Sequence, residues 1–268
     1  MPEIPDLEAI RGFLNQRLPG ARIEKAEYRI PVVFRVTKDE FVGTLQGAEF
    51  GETQRRGKFL IFTLKSGHAL VINAMLTGRF QYLQPDAKRH AKTCLALALS
   101  NGWELRYVDQ RLMGKIYLVP NDRLSEVPQF DEMGPDALGV SLEEFSERIV
   151  RFRGQIKNVL VNHKFIAGIG NAYADEILFA AKLHPYRKRT QLTDDEVERL
   201  YESIGKVFAW AMPLVAEQMQ EELNYEERRD FLKIHRLGGE PCPVCGTRIS
   251  EITAGQRITN FCRNCQPG

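Results

Sequence analysis

Two groups of residues carry chemistry in their spacing alone, and they lie at opposite ends of the chain. At the start, Met1-Pro2-Glu3 places a small residue behind a removable methionine, so processing leaves a free secondary amine on Pro2. An α-amino group has a pKa of about 7.7 to 8.0, so about a tenth is unprotonated at pH 7, against well under a thousandth for a lysine near 10.4. Such an amine is a usable nucleophile toward a sugar or carbonyl carbon. Glu3 is adjacent and Asp6 stands one helical turn on. One carboxylate can protonate a leaving group while the other stabilises developing positive charge. The same three residues also suit an ordinary chain start, so the cluster acquires meaning only in company.

At the other end Cys242 and Cys245 are separated by two residues, Cys262 and Cys265 likewise, with sixteen residues between the pairs. That is four-thiolate zinc-ribbon spacing, and it argues for a metal rather than two disulfides where thiols stay reduced. Four sulfurs fill the coordination sphere, so one structural Zn2+ with no open position for water is expected. The fifth cysteine, Cys94, lies in an apolar run and reads as buried packing. From Arg228 onward seven basic residues face three acidic ones, a local positive excess in a chain of net charge +2. A solvated basic face would look the same.

Two further motifs suit an anionic partner. Gln54-Arg55-Arg56-Gly57-Lys58-Phe59 sets a basic run at a strand entrance, where Lys58 can reach a phosphate or a reacting sugar. Gly168-Ile169-Gly170-Asn171 precedes a helix, allowing close backbone approach and offering free amides to an anion. A surface charge run and a plain inter-helix turn are the ordinary alternatives.

The elements that must position these groups follow from periodicity. Pro5 to Arg17 reads as an amphipathic helix carrying Leu7, Ile10, Phe13 and Leu14. From Ile23 to about Val119 short β-rich runs prevail, including 47–52, 59–64, 69–75, 93–99, 104–109 and 115–119, a density that predicts a sandwich or barrel. A linker from Pro120 to Pro135 leads to helical periods over 142–152, 156–161 and 172–181. Another helix, capped by Thr193, runs toward Trp210 until Pro213 interrupts it, with 214–223 as a possible continuation. The fold class is α+β: a β-rich N-terminal domain, a helical domain and a zinc ribbon. No apolar run approaches the roughly 20 residues of a membrane span, and Met1-Pro2-Glu3 opens without a basic and apolar leader, so a cytoplasmic protein is expected.

In this order, Met1-Pro2-Glu3-Ile4-Pro5, Arg56-Gly57-Lys58-Phe59, the run from Ala167 to Glu176, and Gly239-Glu240-Pro241-Cys242 through Cys265 resemble the formamidopyrimidine-DNA glycosylase and endonuclease VIII family. The resemblance runs from Met1 to Gln266. It implies an N-terminal catalytic β-sandwich flanked by helices (1–125), a helix-two-turn-helix domain (126–235) and a zinc-finger module (236–268). It further implies a bifunctional DNA glycosylase and abasic-site lyase of base-excision repair. Such an enzyme acts as a monomer on double-stranded DNA holding an oxidised base or abasic site, through a Schiff base followed by β,δ-elimination. Carried over residue by residue, Pro2 is the nucleophile, Glu3 the acid that assists ring opening, and Lys58 a phosphate contact that assists elimination. Lys157 and Asn171 grip phosphates, and Arg257 clamps those beside the lesion. His90 and Arg111 contact DNA, and Met75 fills the gap left by the flipped base.

The chain departs from the family at several positions. Asp6 stands where glutamate is usual, moving the carboxylate by about 1 Å, a displacement that can cost about 100-fold if the group is catalytic. Gln110-Arg111-Leu112-Met113 replaces Pro-Arg-Arg-Phe, so Met113 takes the aromatic wedge position. Asn73 and His90-Ala91-Lys92 also differ, and Met219 to Ile234 contains no glycine where the oxidised-purine branch has a glycine-containing loop. A preference for 8-oxoguanine is therefore not carried over. The alternative expectation is a catalytically weak or inactive binder of damaged or branched DNA on the same scaffold.

Overall fold

The computed structural model describes residues 1–219, 223–224, 226–227, 229–254 and 257–268, and the chain divides into two compact units. The first joins Met1–Asp131 with Met212–Glu227, and the second joins Glu132–Ala211 with Arg228–Gly268.

In the first unit, α1 (Ile4–Asn15) buries Ile4, Leu7, Ile10 and Leu14 along one side, the stripe its sequence period demands. Asn15 closes the helix against the sheet: its side chain accepts from the Thr53 N–H (2.7 Å) and donates to the Thr53 carbonyl (2.8 Å). Then come β1 (Ile23–Tyr28), α2 (Lys38–Leu45), β2 (Phe50–Arg56), β3 (Phe59–Leu64), β4 (His68–Asn73), β5 (Gly78–Leu83), β6 (Thr93–Leu99), β7 (Glu104–Asp109) and β8 (Lys115–Pro120). They form two antiparallel sheets, ordered β1-β6-β7-β5 and β2-β3-β4-β8, and a short β9 (Leu223–Asn224) pairs with β5 at the edge of the first. Phe50 and Phe62 from the second sheet and Phe80 and Tyr107 from the first meet ring to ring between them, Phe62 to Phe80 at 6.0 Å. These fully buried rings make the sandwich core.

Two sequence expectations change here. The stretch 38–45 is helical, with the Thr37 hydroxyl accepting from the Glu40 N–H at its start. The strand expected over 47–52 begins later, because Gly47 sits at φ +84° in a turn.

The second unit contains α3 (Leu142–Ile149), capped by the Ser141 hydroxyl accepting from the Glu144 N–H (3.1 Å), then α4 (Ile156–Leu160), α5 (Asn171–Ala180) and most of α6 (Asp194–Ala216). At the start of α6, Thr193 and Glu196 bond reciprocally, side chain to backbone. Pro213 does not interrupt α6, which continues to Ala216: a proline one turn from the end removes only one donor. Of the suggested continuation to 223, residues 220–222 lie outside the described residues and Leu223 is in a strand. The hairpin of β10 (Ser250–Ala254) and β11 (Arg257–Phe261) completes the unit. Among the described residues no helix is long and apolar enough to cross a membrane.

Candidate functional site

The first unit gathers Pro2, Glu3, Asp6 and Lys58 around the chain start. Glu3 is the N-cap of α1: its carboxylate accepts from the Asp6 N–H, and the Asp6 carboxylate accepts from the Glu3 N–H at 2.7 Å. This capping box fixes both acids, and each is buried. Asp6 therefore has a structural task that aspartate performs well, since its short side chain is held against the turn it caps. Pro2, one residue outside the helix, is buried as well.

Lys58 reaches the same place from the β2–β3 hairpin. Arg56 and Phe59 pair across a two-residue turn in which Gly57 takes φ +56°, and the Lys58 ammonium points at the Met1 sulfur, 4.0 Å away. The hairpin is tied to α1 by Glu8, whose carboxylate binds the Arg55 Nε at 2.6 Å and also Arg11, while Arg55 donates to the Gly57 carbonyl. One residue that sequence reading missed joins the group: the Glu227 carboxylate pairs with the Met1 ammonium at 2.6 Å. No local signal could reveal a partner 226 positions away.

Met75, His90 and Arg111 are not part of that cluster. Met75 and Arg111 lie on the β4–β5 and β7–β8 connections, and His90 precedes β6, where its Nε2 meets the Gln110 side chain at 2.9 Å. Leu76 and Met113, on the same connections as Met75 and Arg111, are large apolar side chains exposed at 41% and 40%.

The second unit builds a separate site on α4, the N-terminus of α5 and the β10–β11 hairpin. Lys157 is nearly buried; its ammonium donates to the Ile258 carbonyl and Thr259 hydroxyl, both 2.9 Å, and pairs with Asp175 at 2.6 Å. Asp175 in turn holds the His235 Nδ1 (2.7 Å) and accepts from the Asn260 N–H (3.2 Å). Asn171 donates to the Ile258 carbonyl at 2.8 Å. Lys157, Asn171 and Asp175 thus each bond to β11, so the helices hold the hairpin at whose described edge Arg257 stands exposed. Gly255 and Gln256, which precede Arg257 in the chain, lie outside the described residues. Between helices and hairpin lies a cavity of about 320 Å³ whose lining includes Lys157, Asn158, Asn171, Arg257 and Thr259, neutral or cationic polar groups suited to an oxyanion, beside the apolar Val161 and Ala254. Asp175, Glu176 and His235 had no sequence signal as a set. Glu176 accepts three consecutive backbone N–H groups, from Lys233, Ile234 and His235, against the burial that pushes its carboxyl up.

The zinc ligands come together as their spacing predicts. The Sγ atoms of Cys242, Cys245, Cys262 and Cys265 lie within 4.8 Å of one another, with Cys242–Cys265 at 3.9 Å and Cys245–Cys262 at 3.5 Å. A tetrahedron with Zn–S bonds of about 2.3 Å needs sulfurs about 3.8 Å apart, so the set fits the ion. All four are unpaired by disulfides. The ribbon takes one structural zinc, and its Cys242 and Cys262 pack with Ile249, Ile234 and the α5 residue Phe179.

Three family models match the chain in sequence order. They are the formamidopyrimidine-DNA glycosylase N-terminal domain over residues 1–116, the H2TH domain of the same enzyme over 133–222, and the zinc finger found in FPG and IleRS over 239–268. The formamidopyrimidine-DNA glycosylase of Symbiobacterium thermophilum is 36% identical over 274 residues, covering 100% of this chain and 90% of that one. The enzyme of the same name from Listeria innocua is 33% identical, covering 99% and 100%. Among solved structures, the complex between Lactococcus lactis Fpg and DNA containing an abasic site superposes with a TM-score of 0.91 at 27% identity over all of both chains. The complex of the wild-type form of that protein with DNA containing N7-benzyl-Fapy-dG also gives 0.91 at 27% identity, again over all of both chains.

Proposed function

The chain belongs to the formamidopyrimidine-DNA glycosylase family, and from that premise we propose that it excises oxidised bases from double-stranded DNA and cleaves the strand at the resulting abasic site. The observation that carries this reading is the convergence of Pro2, Glu3 and Lys58 at one chain end, where the capping box leaves both acids no freedom to wander.

With Met1 removed, the Pro2 nitrogen attacks C1′ of the damaged nucleotide. Glu3 gives a proton as the sugar ring opens, the base departs with the bonding pair and a proton, and an iminium remains between Pro2 and the sugar. Loss of the C2′ proton expels the 3′ phosphate, and a second elimination expels the 5′ phosphate. Lys58 stabilises phosphate charge as it leaves, and water then hydrolyses the iminium to restore the amine. Extruding the nucleotide costs a few kcal/mol, less for a damaged base, and an apolar side chain such as Met75 entering the vacated space offsets part of it. In the second unit Arg257, Asn171 and Lys157 are assigned to the phosphates, Lys157 chiefly by holding the hairpin that presents Arg257. Oxidised pyrimidines and ring-opened purines are the substrate classes we assign, because Met219 to Ile234 lacks the glycine loop of the oxidised-purine branch. We place the protein in the cytoplasm, at the DNA it repairs.

The test is reductive trapping. Protein with a processed N-terminus, an abasic duplex and sodium cyanoborohydride should yield a covalent adduct that peptide mapping places on Pro2. DNA binding without any adduct would instead establish the non-catalytic binder of damaged or branched DNA.

A further inference from the structure

Two connections cross from one sheet of the sandwich to the other, side by side. β4 leads into β5 through residues 74–77, and β7 leads into β8 through residues 110–114. The strand register sets their bases against each other, with Asn73 opposite Lys115 and Gly78 opposite Asp109. Each connection contains one non-glycine residue in the left-handed region, Met75 at φ +48° and Leu112 at φ +55°. Such conformations persist only where the surroundings hold them.

One carboxylate does much of the holding. Asp109 is fully buried. Its Oδ1 accepts from the Thr77 hydroxyl (2.5 Å) on the first connection and from the Arg111 N–H (3.2 Å) on the second. Its Oδ2 accepts from the Gly114 N–H at 2.6 Å. The Thr77 hydroxyl oxygen also accepts from the Arg111 N–H at 3.0 Å, so the two connections touch directly. Tyr107 supports the pair from beneath: its hydroxyl donates toward both the Ala74 carbonyl (3.4 Å) and Asp109 (3.5 Å), and burial with the adjacent Asp109 charge keeps it protonated. The hydroxyl lies so close to Gly78 and Gly114 that a side chain at either would collide with it.

We propose that Asp109 is a positioning residue that joins the Met75–Leu76 and Arg111–Met113 connections into one rigid probe of the duplex. The inference rests on the glycosylase reading above and adds to it the device that makes insertion effective. An apolar side chain entering a stack gains less if its loop must be ordered at that moment, and a loop already pinned has met that cost in folding. The bond from Thr77 to Asp109 couples the connections, so losing it should uncouple them without emptying the core.

Full-length, zinc-loaded Thr77→Val, Thr77→Ser and Asp109→Asn are compared with the parent on two probes. The first is a duplex carrying one ring-opened guanine opposite 2-aminopurine. The second is a single strand with one abasic site, which has no nucleotide to extrude and no orphaned partner. Thr77→Val should slow single-turnover excision from the duplex by about tenfold or more and blunt the 2-aminopurine fluorescence rise on binding, while cleaving the abasic strand within about twofold of the parent. Thr77→Ser, which keeps the hydroxyl, should restore both duplex readouts. Asp109→Asn, which sets an amide N–H against either the Arg111 N–H or the Gly114 N–H, should show the same split. Equal slowing on both probes, or none on the duplex, overturns the proposal. A parent inert on both probes overturns the glycosylase reading first, and this inference with it.

Discussion

Removing Asp175 tests whether the second unit depends on its buried ion pair. Its side chain is fully buried and that of Lys157 is 6% exposed. Asp175→Ala strips the carboxylate from three groups at once: the Lys157 ammonium, the His235 ring nitrogen and the Asn260 N–H. The ammonium keeps the Ile258 carbonyl and Thr259 hydroxyl but loses the Asp175 charge in a nearly buried place. Breaking one side of such a pair costs about 3–5 kcal/mol, a large share of the roughly 5–15 kcal/mol that holds a domain folded. At about 3 °C per kcal/mol, the thermal midpoint should fall by about 10–15 °C. Calorimetry of the zinc-replete protein reads this directly. Lys157→Met combined with Asp175→Leu should recover most of the loss, since replacing both ions by apolar side chains removes the stranded charge. A single variant that melts within about 3 °C of the parent, or a double variant worse than the single, would refute the reasoning.

Other outcomes can be checked alongside. Chelating the zinc, or Cys245→Ala, should abolish DNA binding together with the folded ribbon, because a structural zinc supplies about 10–16 kcal/mol to modules of this kind; zinc content and binding measured in one titration decide it. Arg257→Ala should retain its zinc yet bind more weakly, with the slope of log K against log salt shallower by about one phosphate contact. Glu27 is partly buried, which opposes ionisation, yet contacts with Lys25, Arg29 and Arg89 bring its carboxyl down to about 2. That stability is present above pH 4.5 and drains away as the pH falls toward 2, so the acid limb of a stability profile should flatten in Glu27→Gln. Burial lifts the Cys94 thiol to about 11, so native protein should resist iodoacetamide there until it unfolds.

What could be read from the sequence was what neighbours in the chain decide. Four thiols in two knuckles need only local turns and one hairpin, and their assembly follows from spacing. Glu3 and Asp6 face each other because three residues make most of a helical turn, though the spacing did not disclose that Asp6 would spend its carboxylate on the Glu3 N–H. The short helix 38–45 was hidden because only Phe41 and Leu45 are buried and Gly43 weakens the pattern. Strands Ile23–Tyr28 and Gly78–Leu83 interleave charged or polar residues with apolar ones, so neither stands out as an apolar run. The pairings of Asp175 with His235, Thr77 with Asp109 and Met1 with Glu227 span 60, 32 and 226 positions. Such partners are set by how sheets and helices stack, which no window on the chain contains.

The pairing of Met1 with Glu227 has a consequence in the order of synthesis. The Glu227 carboxylate that pairs with the Met1 amine is added 226 residues after it. At about 5–20 residues per second, the terminus spends on the order of 10–45 s without that partner. An aminopeptidase working on the growing chain meets an open substrate, whereas one offered refolded, unprocessed protein meets a terminus already clasped. On the mechanism proposed above, the Pro2 amine is thus most easily uncovered during translation, and refolded protein that keeps Met1 should be processed more slowly than the growing chain.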